Sequence, residues 1–232
     1  MTYYVNPGTY YGETGSFTLS VTTGGGGVTT PVPAGELTGN GGSAQINGTS
    51  NILFTPNKTG LWIVYTANNG SDDPMLTMYY PDGSILADND DGWGDYNALL
   101  AVFLAEGSTY TIETGFYGSS SGTCTLFVIP PADFNPGGGS VQVNGPTGFM
   151  FVPSQSGTYE FRTSDNGNSD PYLHVFDPYE SIAENDDDGG NFNAYLTVSL
   201  EAGVEYDIYV GFWGPDGQST GIGYCTLTVN RR

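Results

Sequence analysis

Acidic and amide side chains crowd into a few short stretches of this chain. Asp72-Asp73 stands ahead of one apolar run, and Asp88-Asn89-Asp90-Asp91 with Asp95 follows it. Further on, Asp170 and then Glu184-Asn185-Asp186-Asp187-Asp188 repeat the arrangement, with Asn97 and Asn193 at the strand that comes next. Calcium takes about six to eight hard oxygen ligands from flexible loops, and neighbouring Asp and Asn can supply them. Carboxylates this dense repel one another unless a cation or water screens them. The candidate calcium ligands are therefore Asp73, Asn89, Asp90, Asp91 and Asp95, and in the second set Asp170, Asn185, Asp186, Asp187 and Asp188. The spacing is not that of the EF-hand loop, and the same residues equally build solvated Asx-rich turns. Glycosidase chemistry needs two acids across one cleft, about 5 Å or 6.5–9.5 Å apart. Adjacent acids in a turn that occurs twice do not describe such a cleft.

Other chemistry is thinner. His174 is the only histidine, and its counterpart in the first set is Thr77, so it reads as a surface residue. A catalytic histidine needs a nucleophile and an orienting acid beside it, and no such set is marked. Cys124 and Cys225 occupy equivalent inward positions, where Phe17 stands in a partial third copy. A position that accepts Phe is used for bulk, so both read as buried free thiols. Exposed aromatics can stack on sugar faces. Trp93, flanked by Gly92 and Gly94, and Phe192 lie in the two acidic loops and are the candidate carbohydrate contacts. Tyr117 and Trp213, with Tyr11 in the partial copy, read instead as aromatics covering a sandwich end. Asn47, Asn57 and Asn69 head glycosylation sequons.

The elements that must position these residues are repeats. "GLWIVYTANNGSDDPMLTMYYPDGSILADNDDGWGDYNALL" from Gly60 aligns with "GTYEFRTSDNGNSDPYLHVFDPYESIAENDDDGGNFNAYL" from Gly157. "GFYG" from Gly115 matches "GFWG" from Gly211, and "TCTLFV" from Thr123 matches "YCTLTV" from Tyr224. The expected organisation is a partial repeat at 1–21, a Gly/Thr/Pro linker at 22–39, a repeat at 40–130, a short linker at 131–137 and a repeat at 138–232. Period-two alternation is strong: Leu76, Met78 and Tyr80 share one face, as do Cys124, Leu126 and Val128, and Cys225, Leu227 and Val229. With frequent turn signals and no helical period, this predicts an all-β chain of tandem antiparallel, jelly-roll-like β-sandwiches, each of about seven to nine strands.

Charge excludes whole classes of partner. Four Lys+Arg against 25 Asp+Glu give a formal net charge of −21. Such a surface repels phosphate backbones, so nucleic acid is excluded as a partner. No stretch reaches the roughly 18 apolar residues that span a bilayer. No basic segment leading into an apolar run follows Met1, yet the composition reads as extracellular; the expectation is that Met1 is an expression start or that the chain is a piece of something longer.

The run "SDPYLHVFDPYESIAENDDDGGNFNAYLTVSLEAGVEYDIYVGFWG", closing on "GYCTLTV", resembles the bacterial pre-peptidase C-terminal domain. The shared features are Asp-Pro-x-Leu, an Asn-Asp-Asp turn, an Asn at the next strand, Leu-x-Ala-Gly, Tyr-x-Ile-x-Val and a final Thr-Leu-x-Val. The resemblance implies a small, secreted, non-catalytic jelly-roll-like sandwich, some relatives binding calcium and some binding collagen or polysaccharide. It places the pre-strand acid at Asp73 and Asp170, and the turn at Asn89, Asp90 and Asp91 and at Asn185, Asp186 and Asp187. No peptidase domain accompanies these repeats. The expectation is a secreted or surface-displayed, non-enzymatic structural or assembly protein, a stalk, array or fibre subunit that meets copies of itself or adjacent repeats through residues 1–21. The alternative is a calcium-dependent carbohydrate- or matrix-binding module with polysaccharide as partner.

Overall fold

The computed structural model describes residues 37–177, 180–214, 217 and 220–232. The partial repeat expected at 1–21 and the linker up to residue 36 lie outside the described residues. In the first repeat the strands are β1 (Gly42–Asn47), β2 (Ser50–Phe54), β3 (Gly60–Ala67), β4 (Pro74–Tyr79), β5 (Ile85–Asn89), β6 (Leu99–Leu104), β7 (Tyr110–Phe116) and β8 (Thr123–Ile129). The second repeat opens with β9 (Ala132–Asp133), inside the stretch expected as a linker. It then repeats the set as β10 (Gly139–Asn144), β11 (Thr147–Phe151), β12 (Gly157–Ser164), β13 (Asp170–Asp177), β14 (Glu180–Asn185), β15 (Tyr195–Leu200), β16 (Tyr206–Trp213) and β17 (Tyr224–Arg231).

Each repeat is a two-sheet sandwich. Sheet β1-β8-β3-β6 lies over sheet β2-β7-β4-β5, and β10-β17-β12-β15 lies over β14-β13-β16-β11-β9. The chain crosses between sheets at nearly every connection, so each sheet is assembled from strands distant in sequence, as in an eight-stranded jelly roll. All pairings are antiparallel except the two-residue pairing of β9 with β11. The predicted all-β tandem sandwich is the fold observed.

The alternating residues do what period two demands. Cys124, Leu126 and Val128 line the first core beside Ala44, Ile46, Trp62 and Val64 of the same sheet, and Cys225, Leu227 and Val229 fill the second. Trp62 is fully buried, set edge-on to Phe54 at 5.1 Å, with its indole N–H on the Lys58 carbonyl. Both cysteines are free, and burial pushes both thiols up to about 12, so they act as small apolar side chains. Tyr80 departs from the expected face. The β4–β5 register shifts between Met78 and Tyr79, and Tyr80 emerges beyond the strand end, 43% exposed.

The two sandwiches are stacked on each other. Leu61 and Ile63 on the outer face of β3 join Leu99 and Tyr209 in a third buried cluster, flanked by Tyr65, Trp93, Phe103, Tyr172 and Phe176. Phe103 meets Phe176 edge-on at 5.0 Å. The Leu61 N–H donates to the buried Asp207 carboxylate at 3.2 Å, and Lys58 pairs with Asp133 at 3.4 Å. Gly148 is required here: a Cβ would fall well inside contact distance of the Leu61 carbonyl.

Candidate functional site: the paired acidic loops

In each sandwich an asparagine pair pins two loops together. After β3, Asn69 donates to the Asp72 and Asp95 carbonyls at 2.5 and 2.9 Å. Asn97 donates to the Asn69 side-chain oxygen at 3.0 Å and to the Gly94 and Asp95 carbonyls at 3.2 Å each. Asn166 and Asn193 repeat this in the second sandwich, Asn193 donating to Asn166 at 3.1 Å. All four are buried, and their amides serve main-chain carbonyls that would otherwise be orphaned. The Asn69–Asn97 role escaped sequence reading, although the matching Asn-Gly steps at Asn69-Gly70 and Asn166-Gly167 carried its signal.

This clasp holds the acid before β4 against the loop after β5. The charges of Asp91 and Asp90 act on Asp73, and those of Asp187 and Asp186 act on Asp170. One oxygen of each inner carboxylate, Asp73 Oδ1 and Asp170 Oδ1, is buried with no hydrogen-bond partner. Burial, and then the neighbouring carboxylates, push both acids above the usual carboxylate range. The same orphaned oxygen therefore occurs at the same position in both repeats.

Other expected ligands have different work. Asn89 Oδ1 accepts from the Gly92 and Leu99 N–H groups at 2.7 and 2.9 Å, and Asn185 Oδ1 from Asp188 and Tyr195 at 3.1 and 2.8 Å. Two N–H groups occupy both lone pairs of an amide oxygen, so these asparagines shape the loop and do not ligate through that atom. Asp95 lies at the hairpin apex with φ 51°, and it is its carbonyl that serves the clasp. Asp188 is exposed and gives its N–H to Asn185. Among the described residues no three His, Cys, Asp or Glu groups stand close enough to hold one metal ion as placed. An ion at Asp73 or Asp170 would draw the two loop carboxylates inward and complete its shell with main-chain oxygens and water.

Of the two aromatic residues expected in the acidic loops, Trp93 is corrected. Trp93 is not a solvent-facing platform. Its ring stacks on Tyr65 at 3.6 Å and 3°, and its carbonyl accepts the Gly221 N–H of the second sandwich at 2.9 Å. A Cβ on Gly221 would collide with the indole. The position that corresponds to Phe192 is Tyr96, and these two are exposed, 60% and 65%, at the loop apices. Both have positive φ, 58° and 59°, directly after Asn191 and Asp95, which also have positive φ. A two-residue hairpin turn of this kind needs positive φ at both positions, which side chains other than Gly, Asn and Asp resist. Tyr117 is 68% exposed and Trp213 half-buried, so neither caps a core; the buried neighbours Phe116 and Phe212 do. Trp213 stacks on Tyr172 at 4.6 Å and 27°.

His174 Nε2 lies 2.6 Å from Ser181 Oγ and 3.6 Å from Glu184 Oε2. A triad needs the hydroxyl and the acid on opposite ring nitrogens, and here both meet the same one. Among the sequons, Asn47 and Asn57 are exposed. Asn69 is 6% exposed with its amide nitrogen donating twice, so it is unavailable to a glycan in the folded chain.

No protein-family model and no curated protein matches the chain. Among solved structures, the tandem CBM51 modules of the family 98 glycoside hydrolase from Streptococcus pneumoniae SP3-BS71 are similar over 82% of this chain and 84% of theirs, at 9% identity and TM-score 0.27. The CBM22 tandem domain of Paenibacillus barcinonensis Xyn10C is similar over 82% and 87%, at 11% identity and TM-score 0.24. A mutant of Bacteroides uniformis β-glucuronidase 2, described as a calcium binding mutant, is similar over 81% of this chain but 25% of that one, at 13% identity and TM-score 0.27. Likenesses this distant carry no argument about function.

Proposed function

We propose that this chain is a non-catalytic, secreted or surface-displayed module of the pre-peptidase C-terminal type that binds calcium and, with calcium bound, carbohydrate or matrix. One observation carries the calcium reading. In both sandwiches the inner carboxylate, Asp73 or Asp170, keeps a buried unpartnered oxygen, and the charges of two more aspartates act on it. A buried carboxylate oxygen without a partner is costly, and like charges acting on it raise the cost. A divalent cation turns each of those repulsions into an attraction. Asp73, Asp90 and Asp91 would hold one ion, and Asp170, Asp186 and Asp187 the other. The bound ion would fix each acidic loop in one arrangement, and three carboxylates around a divalent ion leave the site net negative.

Thermal unfolding of the whole chain tests this. Calcium should raise the midpoint relative to chelator, since a ligand that binds only the folded state stabilises it. Asp73→Asn and Asp170→Asn should each remove part of the rise, and the double variant all of it. A midpoint indifferent to calcium in the unaltered chain would overturn the reading. A structural role remains the second reading, favoured by the apolar seam that stacks the two sandwiches. Its strand-exchange form, through residues 1–21, is tested by deleting that segment and measuring assembly size by light scattering.

A further inference from the structure

The outer face of the second sandwich carries a groove that the first lacks in the same form. It crosses the paired strands β14, β13 and β16 at the edge of the seam and is lined by Tyr172, Leu173, Trp213, Glu184, Asn185 and Asp186. The two rings stack face to face, so each covers one face of the other. Trp213 lies directly opposite Asp170 in the β13–β16 register, so the ring pair ends at the acidic loop. The corresponding groove of the first sandwich is walled by Met75, Thr77, Asp88 and Asp90. Met75 replaces Tyr172 there, and Tyr117, the counterpart of Trp213, stands out in solvent at 68% exposure.

We propose that the Tyr172–Trp213 groove is the saccharide subsite, and that it takes a neutral hexopyranose; this rests on the carbohydrate-binding reading above. The uncovered part of the half-buried Trp213 indole offers area to the C–H face of a sugar ring, and a few placed polar groups fix its orientation. Glu184 and Asp186 are acceptors, matched to sugar hydroxyl donors. The same carboxylates, in a chain of net charge −21, repel uronate and sulfate groups. Asp186 belongs both to the groove and to the loop around Asp170, so ordering that loop with calcium strengthens saccharide binding.

The test is titration calorimetry on the whole chain with calcium present, using cellohexaose, mannohexaose and hexagalacturonate as probes. A neutral hexamer should bind and hexagalacturonate should not. Trp213→Ala should weaken binding by about tenfold or more, Trp213→Phe should retain most of it, and Tyr117→Ala should leave it unchanged. Thermal unfolding of each variant separates lost binding from lost folding. Neutral binding untouched by Trp213→Ala would overturn the subsite while leaving carbohydrate binding standing. Tighter binding of hexagalacturonate would overturn the charge argument. Failure of all three probes, with the calcium shift intact, would overturn the carbohydrate reading and the subsite together.

Discussion

β3 and β12 are the same strand in two copies of one fold, and only one of them is buried on both faces. β3 points Trp62, Val64 and Thr66 into its own core and Leu61, Ile63 and Tyr65 outward into the second sandwich. β12 points Tyr159, Phe161 and Thr163 inward, but its outward residues are Thr158, Glu160 and Arg162, beside solvent. β7 and β16 show the complementary difference. The outward residues of β7 are Thr111, Glu113 and Gly115, whereas those of β16 are Asp207, Tyr209 and Gly211, all buried. The inner faces preserve one core; the outer faces have been rewritten where the sandwiches meet. The paired acidic loops have not been rewritten. They hold Asp73 and Asp170 alike, which is expected of a shared function and is not needed for an interface that uses each repeat differently.

Exchanging outward residues between the two strands sharpens this contrast. Ile63→Glu gives β3 the residue of β12 and buries an unpaired charge, with an expected loss of about 3–5 kcal/mol in urea unfolding at pH 7. The converse Glu160→Ile should change stability by less than about 1 kcal/mol. Equal effects would mean that the seam contributes nothing. Leu61→Ala comes next, at about 2–4 kcal/mol for a side chain only 3% exposed, against less than about 0.5 kcal/mol for Thr158→Ala.

Asp207 gives the seam a pH dependence. Burial, then the Glu205 charge, outweigh the Leu61 N–H, and the carboxyl is pushed up to about 6. An acid raised in the folded state is protonated there while the unfolded chain is already ionised. Stability therefore falls as pH rises from about 4 to about 6, and the loss persists above that. Asp207→Asn should flatten this slope and stabilise the chain by about 2 kcal/mol at pH 7, read from urea midpoints across that range. A slope unchanged by the substitution would place its origin elsewhere. The smallest effect belongs to the uncovered face. Glu160 pairs with Arg232 at 2.8 Å in a partly exposed bridge, and Glu160→Gln should cost less than about 1 kcal/mol, shrinking further in high salt.

Much of this was legible in the residues. The inward cysteines and the alternating strands follow from period two and internal alignment. The apolar run Leu61–Tyr65 was also there to be seen, since Thr158, Glu160 and Arg162 occupy its counterpart positions. What could not be read is where a partner arrives from outside the repeat. Trp93 sits between glycines among polar neighbours, the setting of an exposed ring, yet Gly221 of the other sandwich covers it. Trp213 and Tyr117 occupy one alignment position, and only the presence of Tyr172 rather than Met75 across the strand decides that one ring is stacked and the other free. Asn69 satisfies a sequon by sequence while its side chain is committed to a clasp whose other half follows 28 positions later.

The central claim is that the two acidic loops, unlike the outer faces, do the same thing twice. Calcium titration calorimetry on the whole chain tests it most directly. Two bound equivalents are predicted, falling to one in either Asp73→Asn or Asp170→Asn. No calcium uptake, or uptake that neither substitution reduces, would contradict it.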